Sequence, residues 1–162
     1  MGSNITARNK DQIQHVIEHG LIPPLIKLLA QADRDVKREA AFATSNATSG
    51  STPQQIMYLV SQQCIRPLCN LLTVQDLRII NVALEGIENI LKLGEGLRAL
   101  GLETNEHARF VLEADGVDKL LTLQVFPLFC ITIICIRHHT VPLNVVSHFS
   151  VQLDGRVDIS LT

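Results

Sequence analysis

The chain contains no tryptophan, and aromatic residues make up only 4% of its 162 residues. A core of large aromatic side chains is therefore excluded, and the interior must consist of aliphatic residues, as is typical of stacked helices. Charged residues account for 19%, with a formal net charge of −2. So small a charge gives no general attraction to phosphate backbones, and we expect no nucleic-acid partner. The 46% of hydrophobic residues support a packed core.

Catalytic motifs are also absent from the sequence. No GxSxG, P-loop, HExxH or GxGxxG pattern occurs. The histidines at 15, 19 and 107 fall in helical segments without a paired nucleophile. We therefore expect no enzymatic activity, no catalytic residue and no bound cofactor.

Four cysteines occur, at Cys64, Cys69, Cys130 and Cys135. The first residues are polar and do not resemble a secretory signal, so we expect a reducing compartment and free thiols. Cys64 and Cys69 fall in an apolar helical segment, where cysteine behaves as a small hydrophobic residue. We expect both to lie in the core.

The sequence repeats itself with an offset of about 43 residues. QIQHVIEHGLIPPLIKLL from Gln12 matches QIMYLVSQQCIRPLCNLL from Gln55, and at the same offset Asn46 meets Asn89. This period is typical of armadillo and HEAT repeats, whose units are helical. A single such unit cannot cover its own apolar face, so units stack and form a groove lined by their last helices.

Three helices are expected in each repeat. In the first repeat they cover 11–19, 22–31 and 34–48, with Gly20 as a left-handed cap and Asp33 as an N-cap. The second repeat opens with TPQQ from Thr52, which predicts a capping box with proline at the first helical position. Its last helix, over 76–93, has apolar residues at the 3.6-residue period.

These patterns predict an all-α fold, a right-handed superhelix of about two and a half repeats. We divide the chain into the end of a preceding repeat (1–10), a first complete repeat (11–51), a second complete repeat (52–95), an insertion with a partial repeat (96–124), and a divergent tail (125–162).

Residues 3–123 resemble the importin alpha family, near the C-terminal end of its armadillo array. Among the stretches that carry the resemblance are KREAAFATSNATSG over 37–50 and LEGIENILKLGE over 84–95. The resemblance implies a nuclear import adaptor of the cytoplasm and nucleus, which captures basic nuclear localisation signals in its groove. Importin beta is implied as a partner of the full-length family member only, because the segment that engages it lies upstream of these residues.

The resemblance also implies peptide-binding residues on the last helix of each repeat. Asn46 matches a position where the family has an asparagine that binds the peptide backbone, and Ser45 lies beside it. Asn4, with Ser3, matches the same position of the preceding repeat. An amide side chain both donates and accepts hydrogen bonds, so it suits an extended peptide.

Two further positions flank this asparagine. Phe42 stands where the family has tryptophan, and Glu39 stands where it has a carboxylate. Their spacing from Asn46, i, i+3 and i+7, predicts one shared helical face. Because the phenylalanine ring is smaller, we expect a weaker grip on a lysine stem. Asn89 occupies the asparagine position of the second repeat, but Glu85 replaces the aromatic residue there, so we do not include it in the site.

Two alternatives to import activity stay open. Repeat arrays need about three units and polar ends for stability, so the chain could be a truncated product without transport activity. It could also be a general armadillo interaction scaffold with a non-basic ligand.

The resemblance ends at Gln124. A Gln codon CAG followed by a Val codon spells a typical splice-donor sequence, so we interpret 125–162 as translated intron and expect it to be poorly structured. Its apolar run over 126–136 is too short for a membrane span, which needs about 20 residues. Its potential zinc ligands are Cys130, Cys135, His138, His139 and His148. Their spacing fits no standard zinc finger, so we expect no metal and no membrane contact.

Overall fold

The structure, a computed structural model, describes residues 2–101 and 104–123; for residues 2–9 and for Leu121 it describes the backbone only. Its helices are α1 Gly2–Glu18, α2 Ile22–Gln31, α3 Arg34–Ser49, α4 Pro53–Ser61, α5 Ile65–Leu71, α6 Leu77–Ala99, α7 Glu106–Glu113 and α8 Gly116–Thr122. These ranges contain no strand, and the predicted all-α fold is confirmed. The predictions for 125–162, including the potential zinc ligands, lie outside the described residues.

Equivalent helices of successive repeats stack on one another. Helices α1 to α3 form the first unit, α4 to α6 the second, and α7 and α8 begin a third. Within units, α2 packs on α3 and α5 on α6; between units, α2 packs on α5, α3 on α6 and α5 on α8. The internal repeat of the sequence is therefore also a repeat of packing.

Several local predictions are confirmed at the ends of helices. Helix α2 has the predicted bounds, and Gly20 before it adopts φ +65°. The capping box of α4 is complete, because the Thr52 hydroxyl accepts from the Gln55 amide at 3.3 Å and the Gln55 side chain accepts from the Thr52 amide at 2.9 Å. Asp33 differs from its prediction: its backbone is extended, but its side chain makes no capping hydrogen bond.

Two helices are longer than predicted. Helix α1 begins at Gly2 rather than residue 11, because no proline or glycine interrupts the chain before Gly20. Residues 2–10 lie within α1, and the assignment of 1–10 to the end of a preceding repeat stays a prediction. Helix α6 runs past Leu93 to Ala99, through Gly94 and Gly96, instead of ending at 93.

The core is aliphatic, as the composition predicts, and it includes both described cysteines. Cys64 and Cys69 are free and fully buried. Removal from water disfavours the thiolate, so burial raises the pKa of Cys64 to about 12 and that of Cys69 to about 11. Their predicted role as small core residues is confirmed.

Buried amides add polar contacts between units. Gln55 is only 6% exposed, and its Nε2 donates to the carbonyl of Lys10 at 3.0 Å and to Gln14 Oε1 at 3.1 Å. Asn105 caps α7 by accepting from the Ala108 amide, and its Nδ2 donates to the carbonyl of Leu91 in α6 at 3.2 Å. Each amide therefore fixes the position of one unit on the preceding one.

The first unit exposes apolar residues whose repeat equivalents are buried. Leu21, Leu28 and Val36 are 53%, 45% and 46% exposed. Their equivalents 43 positions later, Cys64, Leu71 and Ile79, are at most 1% exposed. The difference arises because the first unit covers the second, whereas the described residues place nothing on the corresponding face of the first. We call the surface of Leu21, Leu28 and Val36 the end face.

Substitution of Gly94 by alanine should destabilise the packing of α7 on α6. A Cβ at this position would overlap the side chain of Asn105, which is 1% exposed and cannot move aside without losing its hydrogen bonds. We expect Gly94→Ala to lower the free energy of unfolding by about 2–4 kcal/mol. Gly96→Ala is the matched control, because a Cβ there meets no atom within 4 Å. Gly96→Ala should raise the free energy of unfolding by about 0.5–1 kcal/mol, because alanine favours the helix. Urea denaturation measures both values, and equal effects of the two substitutions would contradict this packing.

Cys64 and Cys69 should resist thiol reagents in the folded chain. In a variant whose Cys130 and Cys135 are replaced by serine, we expect labelling at pH 8 only as the core opens in denaturant. The pKa of the thiol in the unfolded chain is near 9, whereas that of buried Cys64 is about 12. The contribution of the buried neutral thiol to folding stability is therefore complete below pH 9 and is lost as the pH rises towards 12. Rapid labelling of either cysteine without denaturant would contradict their burial.

Candidate peptide-binding surface

One face of α3 is exposed, and the opposite face packs into the array. Glu39, Phe42, Asn46 and Ser49 lie on the exposed face, and the Phe42 side chain is 37% exposed. The buried face carries small residues, namely Ala40, Ala41, Thr44, Ser45, Ala47 and Thr48. The structure thus brings Glu39, Phe42 and Asn46 together on one helical face.

The small residues on the buried face allow α6 to approach α3 closely. A Cβ added at Gly86 would lie 3.8 Å from Ser45 Cα, which shows how near the two helices pass. Two of the buried hydroxyls donate within α3: Thr44 to the Ala40 carbonyl at 2.8 Å, and Thr48 to the Ser45 carbonyl at 2.7 Å. These two polar groups are therefore buried without loss of their hydrogen bonds.

The side-chain amide of Asn46 is available to a ligand. Its backbone carbonyl accepts from the Ser49 hydroxyl at 3.3 Å and from the Gly50 amide at 3.2 Å. Within the residues the structure describes, no group bonds to the Asn46 side chain. It lines a cavity of about 410 Å³ between α1, α2 and α3, together with Gln12, Ile13, Val16, Ile22, Leu25, Ala47 and Ser49.

Weak ion pairs lie on α3 in the turns before Phe42. Glu39 Oε1 lies 3.6 Å from Arg38 Nε, and its side chain is 75% exposed. Arg38 is shared, because its NH2 group also lies 3.7 Å from Asp35 Oδ1. Exposed ion pairs of this length contribute little, so an incoming cation can compete for Glu39.

Ser45 does not share this surface, although the resemblance places it beside the binding asparagine. Its side chain is 2% exposed and faces the contact with α6 at Gly86. A side chain enclosed between two helices cannot meet a peptide in the groove, so Ser45 leaves the candidate site.

Ser3 and Asn4 occupy the first turn of α1. The structure describes their backbone only, so the prediction for their side chains remains a prediction. Because α1 is continuous, Asn4 is about 12 Å along the helix axis from Gln12, the α1 residue that shares the cavity with Asn46. The two residues therefore belong to the same helix as Gln12, and their place in a peptide site stays a prediction.

The exposed face of α6 has positions equivalent to those on the exposed face of α3, but different side chains occupy them. Glu85 takes the position of Phe42 and is exposed, while Asn89 takes the position of Asn46 and is half-buried. Asn89 Nδ2 donates to the Thr48 hydroxyl of α3 at 3.2 Å. Sequence reasoning missed this bond, although the 43-residue repeat could have indicated that the two helices face each other.

No metal centre or membrane span is evident in the described ranges. No group of three or more His, Cys, Asp or Glu side chains within 2–101 and 104–123 could hold a metal ion. Likewise, no helix in the same ranges is long and apolar enough to cross a membrane.

Comparisons with known proteins agree with this architecture. The armadillo/beta-catenin-like repeat model matches residues 9–49 and 52–92. Importin subunit alpha-4 of Arabidopsis thaliana is 54% identical over 124 residues, which is 75% of this chain and 23% of that protein. Importin subunit alpha of Saccharomyces cerevisiae is 54% identical over 73 residues, 44% of this chain and 14% of that protein. The chain thus spans under a quarter of the length of these relatives.

Solved structures of designed proteins share the fold. A designed armadillo repeat protein in complex with the peptide (KR)4 aligns with a TM-score of 0.60 and 30% identity, over 80% of this chain and 49% of that one. Computationally designed armadillo repeat proteins for modular peptide recognition align with a TM-score of 0.62 and 29% identity, over 82% and 50% of the two chains. The resemblance to importin alpha is confirmed, and since the repeat model matches half of its residues, the chain belongs to the armadillo-repeat family.

Proposed function

We propose that this chain is part of a nuclear import adaptor and binds basic nuclear localisation signals along the exposed face of α3. The observation that carries the proposal is the unbonded amide of Asn46, which shares one helical face with an exposed ring and an exposed carboxylate. Relatives named importin subunit alpha support this function, as does the designed armadillo protein that binds a peptide of alternating Lys and Arg.

Each of the three side chains has a distinct task in the proposed complex. The Asn46 amide donates to a peptide carbonyl and accepts from a peptide N–H, so it holds the backbone without reading its sequence. Phe42 packs against the aliphatic stem of a lysine or arginine and attracts its charge through the ring face. Glu39 takes the charged tip in competition with Arg38.

These contacts are individually weak. A hydrogen bond contributes about 0.5–1.5 kcal/mol, and an exposed cation–π contact about 0.5–1 kcal/mol. Micromolar affinity requires about 8 kcal/mol. One unit can therefore hold a basic peptide only weakly, and tighter binding needs contacts on further units.

The proposal extends to the wider protein in three respects. It is not an enzyme, because its task is to hold a peptide without changing a covalent bond. Its compartments are the cytoplasm and the nucleus. Importin beta is a partner of the full-length protein only, and neither nucleic acid nor a membrane is part of the proposed mechanism.

A second candidate function is that of an interaction scaffold without transport activity. The end face favours it, since Leu21, Leu28 and Val36 are about half exposed. Apolar residues grouped in this way suit a protein–protein contact that uses no basic peptide. The two candidates differ in whether Asn46 matters for binding.

Substitution of Asn46 by alanine should weaken peptide binding without unfolding the chain. We expect the affinity for a lysine-rich peptide, measured by fluorescence anisotropy, to fall about five- to thirty-fold, because about 1–2 kcal/mol of backbone hydrogen bonding is lost. Affinity for the wild-type chain should also fall with added salt. Gln54→Ala is the control, since Gln54 is an exposed amide on α4. Binding that is indifferent to Asn46→Ala would favour the scaffold instead.

Substitution of Phe42 by tryptophan should strengthen binding of the same peptide. A larger ring offers more contact area and a stronger quadrupole, so we expect affinity to rise about two- to five-fold. Phe42→Leu is the control, because it keeps an apolar side chain but removes the ring. Equal affinities for all three chains would show that residue 42 does not contact the peptide.

A further inference from the structure

We propose that Glu85 is a specificity-determining residue of the same peptide site. It extends the site from α3 onto α6 and selects a second cation, two or three peptide residues away from the one that packs on Phe42. This inference rests on the proposed function. It reverses the expectation from sequence, which leaves the second unit out of the site because Glu85 replaces an aromatic residue.

The packing of α6 on α3 places the two exposed stripes side by side. Gly86 passes close to Ser45, and three residues later Asn89 bonds to Thr48, so the helices run in register over this stretch. Glu85 immediately precedes Gly86 and is exposed, as Phe42 is on α3. The axes of closely packed helices lie about 8–10 Å apart. The Phe42 ring and the Glu85 carboxylate would therefore face one peptide groove at about that distance from each other.

The carboxylate of Glu85 is free for a ligand. Its neighbour Glu88 is occupied, because Lys92 Nζ lies 2.6 Å from Glu88 Oε1. Among the residues the structure describes, no basic side chain forms an ion pair with Glu85. The basic residues at helical spacing from Glu85 on α6 are Arg78 and Lys92, each two turns away, and Lys92 is paired with Glu88. A cationic peptide side chain therefore has no competitor at Glu85, unlike at Glu39.

The backbone of the peptide can also be held on α6. One hydrogen of the Asn89 amide is used by Thr48, which leaves the second hydrogen and the carbonyl oxygen of that amide. Asn89 can thus accept from a peptide N–H while Thr48 fixes its side chain. Asn46 and Asn89 would then bind successive parts of one extended peptide.

The helix separation sets the spacing of the cations. An extended peptide advances about 3.3 Å per residue, so about 8–10 Å corresponds to two or three residues. Phe42 contacts the aliphatic stem of one basic residue, whereas Glu85 interacts only with the charge of the second basic residue. The preferred ligand therefore has two basic residues separated by two or three positions.

A series of labelled peptides tests this inference on the full chain. Each peptide has two lysines in a Gly/Ser background, placed one to six positions apart. We expect the wild-type chain to bind most tightly at a separation of two or three. Glu85→Gln should weaken those two peptides about two- to five-fold and remove the dependence on spacing, in keeping with the strength of an exposed ion pair. Glu88→Gln, whose carboxylate is paired with Lys92, should leave the spacing preference unchanged.

The outcomes separate the two proposals. If the wild-type chain binds none of the peptides, the proposed function fails and this inference with it. If it binds them but Glu85→Gln has the same spacing preference as wild type, only the role of Glu85 is overturned. Circular dichroism of the variant checks its fold, and because Glu85 is exposed we expect no change.

Discussion

The close contact between α3 and α6 is the constraint on which the rest of the structure depends. It requires small residues on one face of α3 and a glycine, Gly86, on the facing side of α6. The small residues of α3 are used in this contact, and its larger and polar side chains, Glu39, Phe42 and Asn46, are left on the exposed face. The packing that stabilises the array therefore also leaves the candidate peptide-binding surface exposed.

Repetition of the backbone does not mean repetition of chemistry. The first unit presents a ring and an unbonded amide, and the second presents a carboxylate and an amide already bonded to its neighbour. A stacked array can vary exposed residues such as Phe42 and Glu85 with little effect on the core, since they lie outside it. Under the proposed function, the order of exposed residues along the stack would determine which peptide is preferred.

Features determined by near neighbours in sequence could be predicted. The bounds of α2 follow from Gly20 and the two prolines of its first turn, and the capping box of α4 needs only Thr52 and Gln55. The shared face of Glu39, Phe42 and Asn46 follows from helical spacing alone. The assignment of these residues to a peptide site comes from the family resemblance and is tested by the experiments above.

Features that depend on distant residues could not be predicted. Ser45 is polar and adjacent to Asn46, yet it is buried because α6, some forty residues later, covers it. Asp33 has a typical capping residue type but makes no capping bond. The Asn105 side chain occupies the space that a Cβ at Gly94 would need, although the two residues lie on different helices. None of these contacts has a signature within a short window of sequence.

The end face has a consequence for the order in which the molecule opens. In a linear stack, each unit is stabilised by its neighbours. A unit that is covered on one side only therefore unfolds locally more easily than a unit covered on both sides. Within the described residues, the first unit is in that position, and it carries Asn46 and Phe42. A ligand that spans α3 and α6 would bind only the closed state, so it would slow backbone hydrogen exchange in α2 and α3 more than in α5. Under the proposed function, peptide binding and the cohesion of the first unit are thus one thermodynamic equilibrium.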